Sequence, residues 1–374
     1  MNVGITCYPT YGGSGIVATE LGMELAARGH EVHFITYANP IRLDPDTPRI
    51  HYHEVEVSNY PLFQYPPYDL ALASRMAEVA ESYSLDVLHV HYAIPHSIAA
   101  LLAQQMLAAT ERLPFITTLH GTDITLVGMD RSYFPITKFS IEKSNGVTAI
   151  SEYLRRQTVE VFGVANEIRV IHNFVNCELY RPDDAKKGAR QYAPGGEKLL
   201  IHLSNFRPVK RALDCVRILA EVRKSVPARL LMAGDGPDRP PAEHLARALK
   251  VERDVLFLGK QNHVERLIPL AHVLLMPSDL ESFGLAALEA MACGVVPVAT
   301  RVGGVPELIT DAEDGFLESP GDIAAMAARA TALLSDEALH YRMAKAGRWN
   351  AAERFCTDKI IPRYEQYYQE VVRP

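Results

Sequence analysis

Short apolar runs of strand length alternate with amphipathic helical segments along nearly the whole chain, and the alternation runs through twice. That pattern belongs to βαβ units, which bury their apolar surface only as parallel sheets with helices on the faces. The first pass has strand-like runs at 2–8, 32–36, 87–92, 115–121, 146–151 and 168–173. A helical segment at 16–29 ends in a glycine suited to a helix C-terminus. The order restarts at 199–205, 228–236, 255–260, 272–278 and 295–300, and beyond Asp322 the pattern is helical without further strands. Residues 176–198, polar and holding two prolines and three glycines, read as a linker or irregular loop. A chain of 374 residues exceeds one ordinary core, so the expectation is an α/β protein of two domains. Open parallel sheets take ligands just beyond the carboxyl ends of their strands, which says where chemistry should lie.

Several classes are excluded. A formal charge of −7 offers no basic face for nucleic acid. No apolar run approaches the ~20 residues of a membrane span, and the start MNVGITCY reads as a strand, not a signal peptide. Five dispersed cysteines without a C-x-x-C pair predict reduced thiols and a cytoplasmic setting. A homo-oligomer is compatible with the sequence.

Beyond the first strand stands PTYGGSG (9–15), where Gly13 and Ser14 open a helix whose N-terminus suits an anion or a sugar. The spacing is not G-x-G-x-x-G, and the second strand ends in Thr36–Tyr37 without a carboxylate for a ribose, which argues against NAD. HVHYAIPH brings His89, His91 and His96 close in sequence, but no carboxylate or cysteine completes a zinc set, so packed histidines are expected there. Tyr92 ends that strand. LHGTD places His120 at a strand end, with Thr118 before it and Asp123 after it. SNFRPVKR sets Arg207, Lys210 and Arg211 between a strand and a helix, a cluster fit to clamp a diphosphate. The D-x-D at Asp44–Asp46 spans a proline and reads as a surface turn. Finally, ESFGLAALEA (281–290) puts Glu281 in a loop and a glycine, Gly284, near the start of a helix from about Phe283. Glu289 lies a turn and a half further on, where a carboxylate could accept both hydroxyls of a ribose.

The GGSG loop, LHGTD, AISEYLRR, IHNFVN, AGDGP, FLGK, the E-x₇-E stretch and GGVPE together resemble the retaining glycosyltransferases of family 4, over nearly the whole chain. The resemblance implies a GT-B fold: two Rossmann-like domains facing an interdomain cleft, with a C-terminal helix returning to the first domain. It implies an acceptor-binding domain at 1–173 with helix 358–374, and a donor-binding domain at 174–357. YPTYGGSGIVATELG, HVHYAIPHS and SNFRPVKR are most similar to the branch that transfers GlcNAc from UDP-GlcNAc to the hydroxyl of L-malate in bacillithiol biosynthesis, with retention of configuration. By motif position Glu289 would hold the ribose. Glu281 and the Phe283–Gly284–Leu285 backbone would hold the sugar, Lys210 with Arg207 or Arg211 the diphosphate, and His120 the sugar near the reacting carbon. Asn173, Asn205 and Gly13 would complete the donor site, and Ser14, Tyr92, Thr118 and Arg131 are candidates for malate. Ser204–Asn205 depart from the Gly-Arg frequent in the family. No metal or other cofactor is expected. The rival readings are an isomerase like the UDP-GlcNAc 2-epimerases, a family member with a lipid or sugar acceptor, and a nucleotide-sugar sensor.

Overall fold

The structure, a computed structural model, describes residues 1–10, 12–44, 46–58, 60–107, 113–182 and 188–373. Tyr11 of the GGSG loop, Pro45 of the D-x-D stretch and residues 183–187 of the expected linker lie outside the described residues. The chain forms two compact units, Met1–Asn173 with Ile360–Pro374, and Phe174–Lys359.

The first unit is built on seven parallel strands: β1 (Asn2–Thr6), β2 (Glu31–Thr36), β3 (Ile50–Glu54), β4 (Val87–His91), β5 (Phe115–Leu119), β6 (Gly146–Ala149) and β7 (Ile168–Val170). Its helices are α1 (Gly13–Ala27), α2 (Tyr68–Tyr83), α3 (Ile98–Met106), α4 (Thr122–Thr125), α5 (Phe134–Lys143) and α6 (Glu152–Phe162). The strand order is β3-β2-β1-β4-β5-β6-β7, so the winding reverses between β1 and β4. Every residue of β4, β5 and β6 is buried, as expected of central strands covered on both faces. Ile35, Leu72, Met76, Leu88, Ala99 and Phe115 form the core under α2 and α3.

The second unit has six parallel strands: β8 (Lys198–Leu203), β9 (Ala228–Ala233), β10 (Val255–Gly259), β11 (Val273–Met276), β12 (Val296–Thr300) and β13 (Phe316–Glu318). Their order, β10-β9-β8-β11-β12-β13, reverses between β8 and β11. The remaining helices are α7 (Ala189–Tyr192), α8 (Ala212–Val222), α9 (Arg239–Ala248), α10 (Val264–Leu267), α11 (Leu285–Ala292), α12 (Val305–Leu308), α13 (Ile323–Ser335), α14 (Glu337–Phe355) and α15 (Thr357–Val372). α15 carries the chain back into the first unit. There the N–H of Val147 donates to the Tyr367 hydroxyl at 2.9 Å, and Arg169 pairs with Glu370 at 2.6 Å.

Two strands escaped the sequence pattern. β3 and β13 are the outer strands of their sheets, and IHYHE and FLE lack the continuous apolar run of a covered strand. The expectation of five reduced thiols is corrected: Cys177 and Cys356 form a disulfide with Cα atoms 5.8 Å apart at a sequence separation of 179. Cys7, Cys215 and Cys293 are buried thiols. Among the described residues no helix is long and apolar enough to cross a membrane.

Candidate active site

The two points where strand order reverses are where open α/β sheets bind ligands. In the second unit β8 and β11 flank that point, and the segments leaving them carry most of the expected donor residues. Lys210 Nζ, in the 3₁₀ turn Pro208–Lys210 beyond β8, lies 2.7 Å from Glu281 Oε1 beyond β11. Ser278 Oγ donates to the same oxygen at 2.8 Å, leaving Glu281 Oε2 outside both bonds. The ammonium and carboxylate are 24% and 13% exposed, enough shelter to strengthen the pair beyond a surface ion pair.

The two arginines beside Lys210 differ. Arg211, with φ +51°, bonds Asp214 at 2.6 Å and Asp279 at 3.1 Å. Arg207 is exposed at the start of the 3₁₀ turn. Ser204, one of the two residues departing from the family pattern, accepts the Phe206 N–H at 3.1 Å, and its hydroxyl lies 2.8 Å from His202 Nε2. Asn205 Oδ1 is buried without a hydrogen-bond partner. Gly234 and Gly236 of AGDGP let the next strand end pack against this loop: a Cβ on Gly236 would sit 2.0 Å from the Asn205 carbonyl oxygen.

The helix expected from Phe283 begins instead at Leu285. Gly284 precedes it with φ +100°, a left-handed conformation that L side chains rarely adopt. A Cβ there would meet neighbours only at ordinary contact distances, the nearest being Met276 Cε at 3.4 Å, so the glycine answers a backbone requirement and not a crowded one. The Phe283 side chain is buried against Phe355, so only its backbone can serve a ligand. The N–H groups of Leu285 and Ala286 have no carbonyl within the helix to bond, as at every helix start. Glu289 is buried, and its Oε1 accepts the Tyr180 hydroxyl at 2.9 Å. Tyr180 lies in the segment read as a linker, where no local pattern marks it. Ser278 stands directly beyond a strand, which could have drawn attention to it.

In the first unit the reversal lies between β1 and β4. Gly13 is exposed and Ser14 half-buried in the first turn of α1. Gly15 must be glycine, because a Cβ would lie 2.4 Å from the Tyr8 carbonyl oxygen. Tyr92 follows β4 at φ +93° and ψ +132°, a region almost closed to non-glycine residues, where strain usually marks function. Its ring lies edge-on to Tyr8 at 5.2 Å and stacks on His120 at 5.7 Å. The LHGTD loop is organised by Asp123. Its Oδ1 accepts the N–H groups of His120 and Gly121 at 3.1 and 2.8 Å, and its Oδ2 that of Ala93 at 3.1 Å.

The histidines do not converge on a metal. His89 bonds Tyr368 and Thr118 at 2.7 and 2.6 Å, His91 bonds His120 at 2.8 Å, and His96 bonds the His91 carbonyl at 2.5 Å. Among the described residues no group of three or more His, Cys, Asp or Glu is placed to hold a metal ion. Burial lowers His89 and His120 to about 3 and His96 to about 4, so these rings are neutral near pH 7. Thr118, expected to contact the acceptor, is instead fully buried, its hydroxyl also 2.6 Å from that of Thr148, so it supports the sheet and presents no surface to a ligand. Arg131 is exposed in the turn before α5. Asn173 is buried, with Oδ1 unpartnered. In the D-x-D stretch the Asp46 N–H donates to Asp44 Oδ1 at 3.0 Å.

The pattern of Glycosyltransferase Family 4 matches residues 11–179, and that of Glycosyl transferases group 1 matches residues 184–349. The N-acetyl-alpha-D-glucosaminyl L-malate synthase of Bacillus anthracis is 48% identical over 374 residues, covering 100% of this chain and 98% of that one. A glycogen synthase of Mycobacterium tuberculosis is 27% identical over 77% of this chain and 69% of its own length. Among solved structures, a glycosyltransferase from Rickettsia africae superposes with a TM-score of 0.82 at 22% identity, covering 100% of this chain and 99% of that one. HepE of Anabaena, in complex with UDP-glucose, also gives 0.82 at 19% identity, over 99% of this chain and 100% of that one. At such identities these two structures speak for the fold.

Proposed function

The chain belongs to the glycosyltransferases of family 4, and from that membership we propose that it transfers GlcNAc from UDP-GlcNAc to the hydroxyl of L-malate with retention at the anomeric carbon, the first step of bacillithiol biosynthesis. The observation carrying this reading is the Lys210–Glu281 pair at the strand reversal of the second unit, beside α11, in a chain that matches an N-acetyl-alpha-D-glucosaminyl L-malate synthase over its whole length.

The second unit takes the nucleotide sugar. The diphosphate meets Lys210, Arg207 and the first N–H groups of α11. Arg207 is the better arginine because Arg211 already serves Asp214 and Asp279. Glu289, held by Tyr180, receives the ribose hydroxyls, and Glu281 with the 283–285 backbone receives the sugar. Asn205 lies beside the diphosphate cations. Cleaving the glycosyl–phosphate bond leaves negative charge on UDP, and cations preorganised where that charge appears carry most of the acceleration. Lys210 is released from Glu281 toward the phosphate as the sugar engages Glu281. These side chains supply the positive charge, so turnover needs no divalent ion.

The first unit takes the acceptor. Gly13 is assigned to the donor, and two carboxylates on malate call for hydroxyl and guanidinium donors, which Ser14, Tyr92 and Arg131 provide, with Thr118 supporting the sheet beneath. His120 faces the sugar near the reacting carbon, and Asn173 lines the same side. The protein acts in the cytoplasm on small molecules alone.

The test is incubation with UDP-GlcNAc and a panel of hydroxy acids, with products identified by mass. Malate-dependent UDP release and a GlcNAc–malate product are expected. UDP release indifferent to malate would favour the epimerase-like reading, and glycosylation of another acceptor would reassign the substrate.

A further inference from the structure

His91 and His120 form a bond whose direction the surrounding atoms decide. His91 Nδ1 and His120 Nε2 are 2.8 Å apart, and both rings are buried. A neutral imidazole has one N–H and one bare nitrogen, so one ring donates and the other accepts. His91 Nε2, the far nitrogen of that ring, is buried without a partner. If His120 donated, the proton of His91 would sit on this orphaned nitrogen, an unmade buried donor. If His91 donates, the orphan is a bare lone pair. A buried N–H without an acceptor is the rarer and costlier of the two.

His96 supplies an internal control. Its Nδ1 faces the His91 carbonyl oxygen, which can only accept, so the proton must be on Nδ1. Its own orphaned atom is again Nε2, here necessarily the bare nitrogen. The same arrangement at His91 puts its proton on Nδ1, facing His120. His120 Nε2 then accepts, and the proton of His120 stands on Nδ1. Asp123 fixes the backbone of the same residue through the His120 N–H, so ring and loop are held by separate anchors.

We infer that His91 is a positioning residue that locks His120 in its Nδ1–H tautomer, so that His120 meets the transferred sugar as a hydrogen-bond donor and not as a proton acceptor. The assignment of tautomer stands on the geometry alone; its catalytic consequence rests on the transfer reaction proposed above.

Two measurements test it on the full-length protein. Long-range proton–nitrogen correlation spectra of ¹⁵N-histidine-labelled enzyme, assigned by comparison with His91→Asn and His120→Asn, report the tautomer of each ring directly. Nδ1–H on both His91 and His120 is expected, and Nε2–H on His120 overturns the inference whatever the enzyme's substrate. The second measurement is the kinetics of malate-dependent UDP release. His91→Asn keeps an N–H near the position of Nδ1, whereas His91→Leu keeps bulk and apolar character only. His91→Leu should lower kcat about 10- to 100-fold with the KM for UDP-GlcNAc within about twofold, and His91→Asn should recover most of the loss. Leucine performing as well as asparagine would reduce His91 to packing and sink the positioning role. Wild-type enzyme inactive with malate but showing the expected tautomers would defeat the proposed reaction while leaving the tautomer standing.

Discussion

The two units reverse their strand order at the same topological place, between β1 and β4 and between β8 and β11, yet equip it with opposite chemistry. The first unit lines its reversal mainly with uncharged rings and hydroxyls, Tyr8, Tyr92 and His120 backed by His89, His91 and Thr118, and keeps the Asp123 carboxylate buried on backbone N–H groups. The second sets ions there: Lys210 with Glu281, and Arg211 with Asp214 and Asp279. One scaffold thus accommodates both a polar neutral wall and a charged one, and what each half does is decided by a few side chains beyond the strands, not by the sheet. A leaving diphosphate needs the charged wall.

Acidification should separate the halves most sharply. His89 and His120 are lowered to about 3, His33, His53 and His96 to about 4, and His91 in the same direction, all chiefly by burial. Folded, these rings resist protons that they would accept unfolded, where the ordinary value is 6.5. Their contribution to stability is therefore complete above that value and is lost as the pH falls through the lowered folded values. The second unit contributes His202, lowered to about 4. Hydrogen exchange between pH 7 and 5, corrected for intrinsic rates, should show β4 and β5 losing protection before β8 and β11. Equal loss would erase this half of the contrast.

Lys210→Ala probes the charged wall. It should lower kcat/KM by about 10²-fold or more; unaltered kinetics would remove Lys210 from the diphosphate. Glu289→Gln is gentler. The amide oxygen can still accept the Tyr180 hydroxyl, so the variant removes charge while sparing the fold. UDP should bind about tenfold more weakly by calorimetry, and unchanged affinity would move the ribose elsewhere. Smallest of all, EDTA should leave turnover intact; loss restored by Mg²⁺ would mean that the cations of the second unit do not suffice.

Much of this was readable beforehand because covered parallel strands announce themselves as unbroken apolar runs, and loops beyond them stand out by contrast. VLLM of β11 is of this kind. What escaped has physical reasons. IHYHE is an outer strand with mixed exposure, so its residues carry no continuous apolar signature. The start of α11 turns on the φ of Gly284, which no neighbouring residue type dictates. Tyr180 reaches Glu289 across 109 residues, and Cys177 finds Cys356 across 179. Such pairings are made by the fold and leave no trace in spacing. The direction of the His91–His120 bond belongs here too, since it depends on a buried atom with no hydrogen-bond partner.

The return of α15 to the first unit has a consequence for how the protein is born. His89, at the centre of the β1–β4–β5 sheet, bonds Tyr368, and Val147 bonds Tyr367. The half translated first therefore lacks part of its own interior until residues 360–373 have left the ribosome. The half translated second has all of its residues by then, so maturation runs against the direction of synthesis. A nascent chain that has emerged as far as residue 359 would present a complete second unit and an open first one.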